Sequence, residues 1–226
     1  MNVQASEIKD GLSDSERVAL QQHLEAKILE LNRQHDIAPL GRARLQLDIA
    51  EILSSLERKP EAWDFAREAF EIALHSEAWQ DAVEACNVLY QTEQDDAIAA
   101  LGMGVWLAVS FPVDPELTLG MLLHIVDETP NNSDGAALAA VTARYVVDLR
   151  AADDKHESQS FLANNLIALV SKRHSNVQDQ AALDKWLDRL ELRDPQIFLP
   201  RLGQVVEIMV GKAWWFDREE LRGKFD

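Results

Sequence analysis

The sequence predicts an all-α protein, either paired antiparallel helices stacked as a solenoid-like array or an irregular helical bundle. Three observations predict it. Apolar residues recur at three- and four-residue spacing along most of the chain. Helix start and stop signals flank these segments. The 226 residues include nine glycines and seven prolines, too few for the turns that an all-β protein needs.

The first two helices are predicted over residues 1–59. Ser13 and Glu16 form a capping box, in which each side chain bonds the backbone N–H of the other residue. The helix after this start has one apolar face, formed by Leu20, Leu24, Ile28 and Leu31. After a break at 36–39, the second helix has a similar face, formed by Leu45, Ile49, Ile52, Leu53 and Leu56.

From residue 60 onward the predicted helices come in pairs that begin about 35 to 40 residues apart. The pairs are 60–75 with 77–91, 96–110 with 115–128, and 134–150 with 157–173. Residues 105–113 alone also fit a strand, but the length and the alanines of the surrounding segment favour a helix. A charged break is predicted at 151–157. Two further helices are predicted within 176–226, which complete a single domain of 226 residues.

The stretch Trp63…Phe70…Trp79-x-x-Ala82-x-x-x-Cys86 resembles a tetratricopeptide-type unit, with an aromatic residue early in its first helix and an aromatic-x-x-Ala pattern opening its second. Pro130 stands where such units often end. The Leu-Gly that usually follows the first aromatic residue is replaced by Ala66-Arg67. This resemblance covers roughly residues 60–130. It implies a helical array that binds other proteins.

Charge and composition restrict the classes of molecule that this protein can bind and the compartment in which it is expected. The net charge is −17, and residues 57–157 alone carry 20 acidic and 6 basic residues. Such a field repels nucleic acid and anionic membranes and favours basic partners. A chain start without a basic and apolar leader, a single cysteine and no long apolar run predict a cytoplasmic protein.

No group of residues predicts a metal site, a cofactor or a catalytic centre. His124 lies alone on an apolar helix, and His156, the one histidine with an acidic residue at the spacing of a helical metal site, falls in the charged break between helices. Cys86 lies on an apolar stripe, where a thiol is usually inert. The pair Gly102 and Gly104 is better explained by close helix packing than by phosphate binding.

Acidic pairs on helix faces, Glu68 with Glu71 and Asp81 with Glu84, are predicted to face solvent. We expect Asp81 and Glu84, together with Asp95 and Asp96, to bind a basic protein segment. The carboxyl end is the second predicted binding region, because it concentrates four aromatic residues in a terminal segment, namely Trp214, Trp215, Phe216 and Phe225. This segment either docks on the last helices of its own chain or anchors a partner or a second copy, and 218–222 fits one more short helix.

These features predict a non-enzymatic interaction or accessory protein that recognises a basic or apolar segment of another protein. A homodimer is a further possibility, whereas nucleic acid and membranes are not expected partners. One alternative is a ligand-binding or catalytic helical domain with an apolar pocket around Trp106, Met121 and His124. Another is an acidic inhibitor or immunity-type protein that mimics nucleic-acid charge.

Overall fold

The computed structural model describes residues 12–33 and 37–223, and 79% of these residues are helical with no strand among them. The all-α prediction is therefore confirmed, and the segment that also fitted a strand is helical as far as Ser110. The described ranges contain eleven helices: α1 (Asp14–Arg33), α2 (Pro39–Ser55), α3 (Lys59–His75), α4 (Trp79–Gln91), α5 (Ala97–Ser110), α6 (Pro115–Glu128), α7 (Asp134–Arg150), α8 (Asp153–Ser175), α9 (Gln180–Arg189), α10 (Pro195–Val210) and α11 (Arg218–Arg222).

Local capping chemistry marks several of the helix starts, including those of α1 and α6. The Ser13 N–H donates to Glu16 Oε2 at 2.8 Å, and the Glu16 N–H donates to Ser13 Oγ at 3.3 Å, which confirms the capping box. Asp114 accepts from the Glu116 N–H at 2.8 Å, and Pro115 takes the first helical position of α6. These interactions lie within three residues, which is why the sequence predicts them.

Four connections end their preceding helix with a glutamate in the left-handed region. Glu57, Glu77, Glu93 and Glu191 have φ values of 60°, 54°, 56° and 55°. At the first of these, the Arg58 N–H donates to Leu53 O at 2.9 Å, the bond of a Schellman motif. Glycine usually occupies this position because a Cβ atom makes the left-handed conformation unfavourable.

We expect Glu57→Gly and Glu191→Gly each to raise the free energy of unfolding by about 0.5 kcal/mol, because relief of left-handed strain exceeds the entropy that glycine gains in the unfolded chain. Glu25→Gly is the control, since Glu25 lies inside α1, where glycine costs about 1 kcal/mol. Urea denaturation measures all three variants. Equal destabilisation of all three would contradict the prediction.

The helices pack as two layers. α2, α4, α6 and α8 each contact the next member of this series, and α3, α5 and α7 pack against the neighbours that precede and follow them in the chain. After α9, the chain returns and α10 lies against both α5 and α7. The main apolar core runs through these helices, and a smaller cluster joins α1 to α2 and the start of α3.

The helix α5 is enclosed on several sides, and its glycines permit the close approach of its neighbours. A Cβ atom at Gly104 would lie 2.4 Å from Met121 Cε and 2.6 Å from Cys86 Cβ. A Cβ atom at Gly102 would lie 2.6 Å from Val210 Cγ2. The packing explanation of these two glycines is therefore confirmed.

The predicted charged break at 151–157 is wrong. α8 begins at Asp153, so the break consists of Ala151 and Ala152. Asp153 and Asp154 lie in the first turn, where acidic side chains interact favourably with the helix dipole and permit an early start. His156 consequently lies on a helix, with its Nε2 3.3 Å from Asp148 Oδ1.

Candidate binding groove

The carboxyl-terminal arm, residues 213–222, lies against helices from the first half of the chain. The Trp215 ring packs edge-on against Trp63 and Phe70, with ring centroids 6.0 and 5.3 Å apart. The Arg67 guanidinium lies over the Trp215 ring, 4.0 Å from its centroid. The arm is therefore anchored on α3.

The other two predicted aromatic residues of the arm contact α5. Trp214 and Phe216 lie 6.1 and 5.5 Å from Trp106 between ring centroids. All three arm aromatics are half-buried. The arm thus docks on its own chain: its rings contact α3 and α5, and Arg218 is paired with Glu207 of α10, one of the last helices. Its end forms the predicted short helix, α11, which Asp217 caps by accepting from the Glu219 and Glu220 N–H groups. Phe225 lies outside the described residues.

The prediction that Asp81 faces solvent is wrong. Its carboxylate is buried and accepts two hydrogen bonds from Arg44, from Nε at 2.7 Å and from Nη2 at 3.1 Å. Its neighbour Glu84 is half-buried and accepts from Gln80 Nε2 at 2.8 Å. Asp81 therefore joins α2 to α4, and this structural pair occupies both of its oxygens.

Asp95 and Asp96 have a different environment from Asp81. Both are exposed and lie in the short connection between α4 and α5. Glu68 and Glu71 of α3 are also exposed, although Glu68 accepts a hydrogen bond from the buried Gln46. The predicted acidic binding residues therefore do not form one surface, because Asp81 is buried in an ion pair whereas Asp95 and Asp96 are exposed.

The three residues proposed for an apolar pocket do not come together. Met121 is fully buried beside Gly104, and its side chain fills the space between helices. Trp106 lines a cleft of about 550 Å³ between α5, α10 and the arm. His124 lines a separate groove, formed where α4, α5 and α6 meet.

This groove consists of two adjoining clefts of about 490 and 410 Å³ that share Ile98 and Glu128 as walls. We call it the Ile98 groove. The first cleft is formed by the end of α4, the α4–α5 connection and α6, and the second by the end of α6, the start of α7 and α10. Asp95 and Asp96 stand at its rim, because Gln94 before them and Ala97 after them both line the first cleft.

Most of the residues that line the first cleft are polar or acidic. The Tyr90 hydroxyl donates to Glu128 Oε1 at 2.6 Å, and the His124 Nε2–H donates to Asn87 Oδ1 at 3.0 Å. Burial, together with this hydrogen bond to Glu128 and the nearby carboxylates, raises the pKa of Tyr90 above its ordinary value. Burial lowers the pKa of His124, so this ring adds no positive charge at neutral pH. Glu93 also lines this cleft and is paired with Lys59 at 2.7 Å.

The second cleft is apolar and contains exposed side chains. Ile98 is 39% exposed and Ile208 is 84% exposed, and both line the cleft together with Val205 and Met209. A single exposed isoleucine is ordinary, but exposed isoleucines that adjoin other apolar side chains form the kind of surface that marks interaction sites. The groove therefore changes from acidic to apolar along its length.

Rigid elements hold the walls of the groove. Arg173 from α8 donates through Nη2 to Val126 O at 2.6 Å, which satisfies a carbonyl at the end of α6. Thr129, the residue after α6, donates through its hydroxyl to Ile125 O at 2.8 Å and so satisfies a second carbonyl at this helix end. Ser133 caps α7 by accepting from the Gly135 N–H at 3.1 Å. The side chains of the groove thus project from capped and packed helices.

Sequence reasoning missed the Ile98 groove as a site. One signal was present, because Ile208 lies off the apolar stripe of α10, which contains Leu202, Val205, Val206 and Met209. An isoleucine beside such a stripe is placed towards solvent. Ile98 and Glu128 gave no comparable signal, since they meet only when α5 and α6 pack.

Within residues 12–33 and 37–223, no three histidine, cysteine, aspartate or glutamate side chains are grouped so that they could hold a metal ion. In the same part of the chain, no helix has the length and apolarity needed to cross a membrane. Cys86 is fully buried, and burial raises the pKa of its thiol far above the ordinary value.

Comparison of the chain with protein-family models, with curated proteins and with solved structures gave no match.

Proposed function

We propose that this protein is a non-enzymatic, cytoplasmic interaction module that binds a basic amphipathic segment of another protein in the Ile98 groove. The observation that carries the proposal is the change from acidic to apolar along a single groove. A helix or extended segment with basic residues on one side and apolar residues on the other fits both parts when it lies across the junction of the two clefts, at Ile98 and Glu128.

Charge supports this choice of partner. Asp95, Asp96 and Glu128 are exposed at the groove, and the chain has a net charge of −17. Complementary charge accelerates the encounter of two proteins, and contacts between apolar side chains then slow their dissociation. Asp81 and Glu84, which the sequence also suggested, are not part of this proposal, because Asp81 is paired with Arg44.

A synthetic helical peptide that carries leucine on one face and lysine on the other tests the proposal by fluorescence anisotropy. We expect binding that weakens as salt rises, because exposed charges are screened within about 10 Å at 0.1 M ionic strength. Ile208→Glu should weaken binding at least about tenfold, a loss of about 1.4 kcal/mol. Val18→Glu is the matched control, because Val18 is also exposed but lies on α1.

Two double variants distinguish the effect of charge at the rim of the groove from the effect of the overall charge of the protein. Asp95→Lys with Asp96→Lys and Glu25→Lys with Asp64→Lys change the net charge equally, but only the first pair lies at the groove. We expect the first pair to weaken binding of the leucine–lysine peptide several-fold more than the second. A charge that lies next to the peptide acts on it more strongly than a distant charge, which salt screens. Equal weakening by both pairs would show that overall acidity alone attracts the peptide. If Ile208→Glu also left the affinity for the peptide unchanged, the proposal that the peptide binds in the Ile98 groove would be wrong.

A further inference from the structure

The outer face of α8 is an apolar surface that residues 12–33 and 37–223 leave exposed. Phe161, Leu162 and Leu169 are 65%, 50% and 55% exposed. In a helix these three side chains lie on one stripe with the exposed Asn165 at its centre. α8 ends the layer formed by α2, α4 and α6, and α9 contacts it only weakly. The stripe is therefore the open end of a packed layer.

The same stretch lacks charge. Residues 158–171 contain no aspartate, glutamate, lysine or arginine, in a chain of which 27% is charged. The long uncharged segment at 97–113 is buried for most of its length, whereas half of residues 158–171 are exposed. Two molecules of net charge −17 repel each other at most of their surface, and an uncharged patch is where that repulsion is smallest.

We propose that α8 forms a homodimer interface with α8 of a second copy, in an antiparallel arrangement about a two-fold axis near Asn165. This arrangement places Phe161 of each copy opposite Leu169 of the other, because the two residues are equally distant from the centre. It also brings Lys172 near Glu157 of the second copy, so the charged residues that flank the stripe are complementary. An interface of this kind is self-complementary, as a two-fold dimer requires.

Asparagine at the centre fits this arrangement. Two Asn165 side chains that meet at the axis can hydrogen-bond each other, and a polar residue at one position of a helix pair fixes its register. One helix face per copy is a small interface, so we expect a dissociation constant in the micromolar range. This interface is separate from the Ile98 groove, and its test is independent of the proposed function.

Sedimentation equilibrium of the full chain at up to about 200 μM tests the proposal, since this concentration exceeds the micromolar constant expected for the interface. The wild type should dimerise. Leu162→Glu and Leu169→Glu should each weaken the dimer at least about tenfold by placing a buried charge in it. Val18→Glu, the same change at an exposed position of α1, should dimerise like the wild type.

Disulfide cross-linking tests the two-fold axis directly. Asn165→Cys should give a covalent dimer under mild oxidation, and Val18→Cys should not. The native Cys86 does not interfere because it is fully buried. A wild type that stays monomeric at about 200 μM would overturn the proposal. A dimer that resists both glutamate variants, or one that Asn165→Cys fails to cross-link, would overturn it as well.

Discussion

Truncation after Lys212 should lower the free energy of unfolding by about 4 kcal/mol or more, because it removes three half-buried aromatic rings and the buried Leu221. A fully buried aromatic side chain removes about 150–250 Å² from water, and burial contributes about 25 cal/mol per Å². Half of that area for each ring corresponds to about 6–9 kcal/mol of favourable burial, which the entropy of ordering the arm opposes. Truncation also exposes Phe70 and Trp106, which should promote aggregation.

Chemical denaturation and thermal melting measure this effect. Truncation after Gly223 is the control, since it removes only three residues and keeps Trp214, Trp215 and Phe216. Trp215→Ala in the full chain should reproduce a large part of the loss, because this ring contacts Trp63, Phe70 and Arg67. An unchanged melting temperature after truncation at Lys212 would show that the arm does not stabilise its own domain.

Gly104→Val should destabilise the protein by about 3 kcal/mol or more, at the upper end of the cost of overpacking a core. Its Cβ atom alone would lie 2.4 Å from Met121 Cε and 2.6 Å from Cys86 Cβ. The methionine side chain can move, but Cys86 Cβ is fixed to the backbone of α4. α4, α5 and α6 would therefore have to separate at the centre of the core.

The control is the same substitution at Gly120, where a Cβ atom meets nothing within 4 Å. Valine has a higher helix propensity than glycine, so Gly120→Val should leave stability unchanged or raise it by a few tenths of a kcal/mol. Urea denaturation and circular dichroism distinguish the two variants. Similar stabilities for both would contradict the close approach of α4 and α6 to α5.

The candidate site was less predictable than the fold. Among the acidic residues, the sequence suggested Asp95 and Asp96, which lie at the groove, but it also suggested Asp81, which is paired with Arg44 from a different helix. The spacing of Asp81 and Glu84 shows that they share a helix face. It does not show whether another helix covers that face. Carboxylates on one face are consequently indistinguishable until the neighbours of the helix are known.

The aromatic arm illustrates the same limit. Four aromatic residues in a terminal segment require a surface to cover them, and the sequence establishes this requirement. The surface consists of α3 and α5, more than one hundred residues earlier in the chain. No sequence signal in the arm identifies Trp63 or Trp106 as its contact, because the contact depends on how the intervening helices stack.

The sequence by itself determined where the helices form, except that α8 begins four residues before its predicted start. Capping boxes, proline at the first helical position and apolar spacing act over three or four residues, so their energies depend little on the rest of the chain. Only the tertiary structure decided which side chains remain exposed. The burial of Asp81, the exposure of Ile208 and the open stripe of α8 all depend on which helices lie beside them. These helix contacts arise from the packing of many side chains at once, which no local pattern of residues specifies.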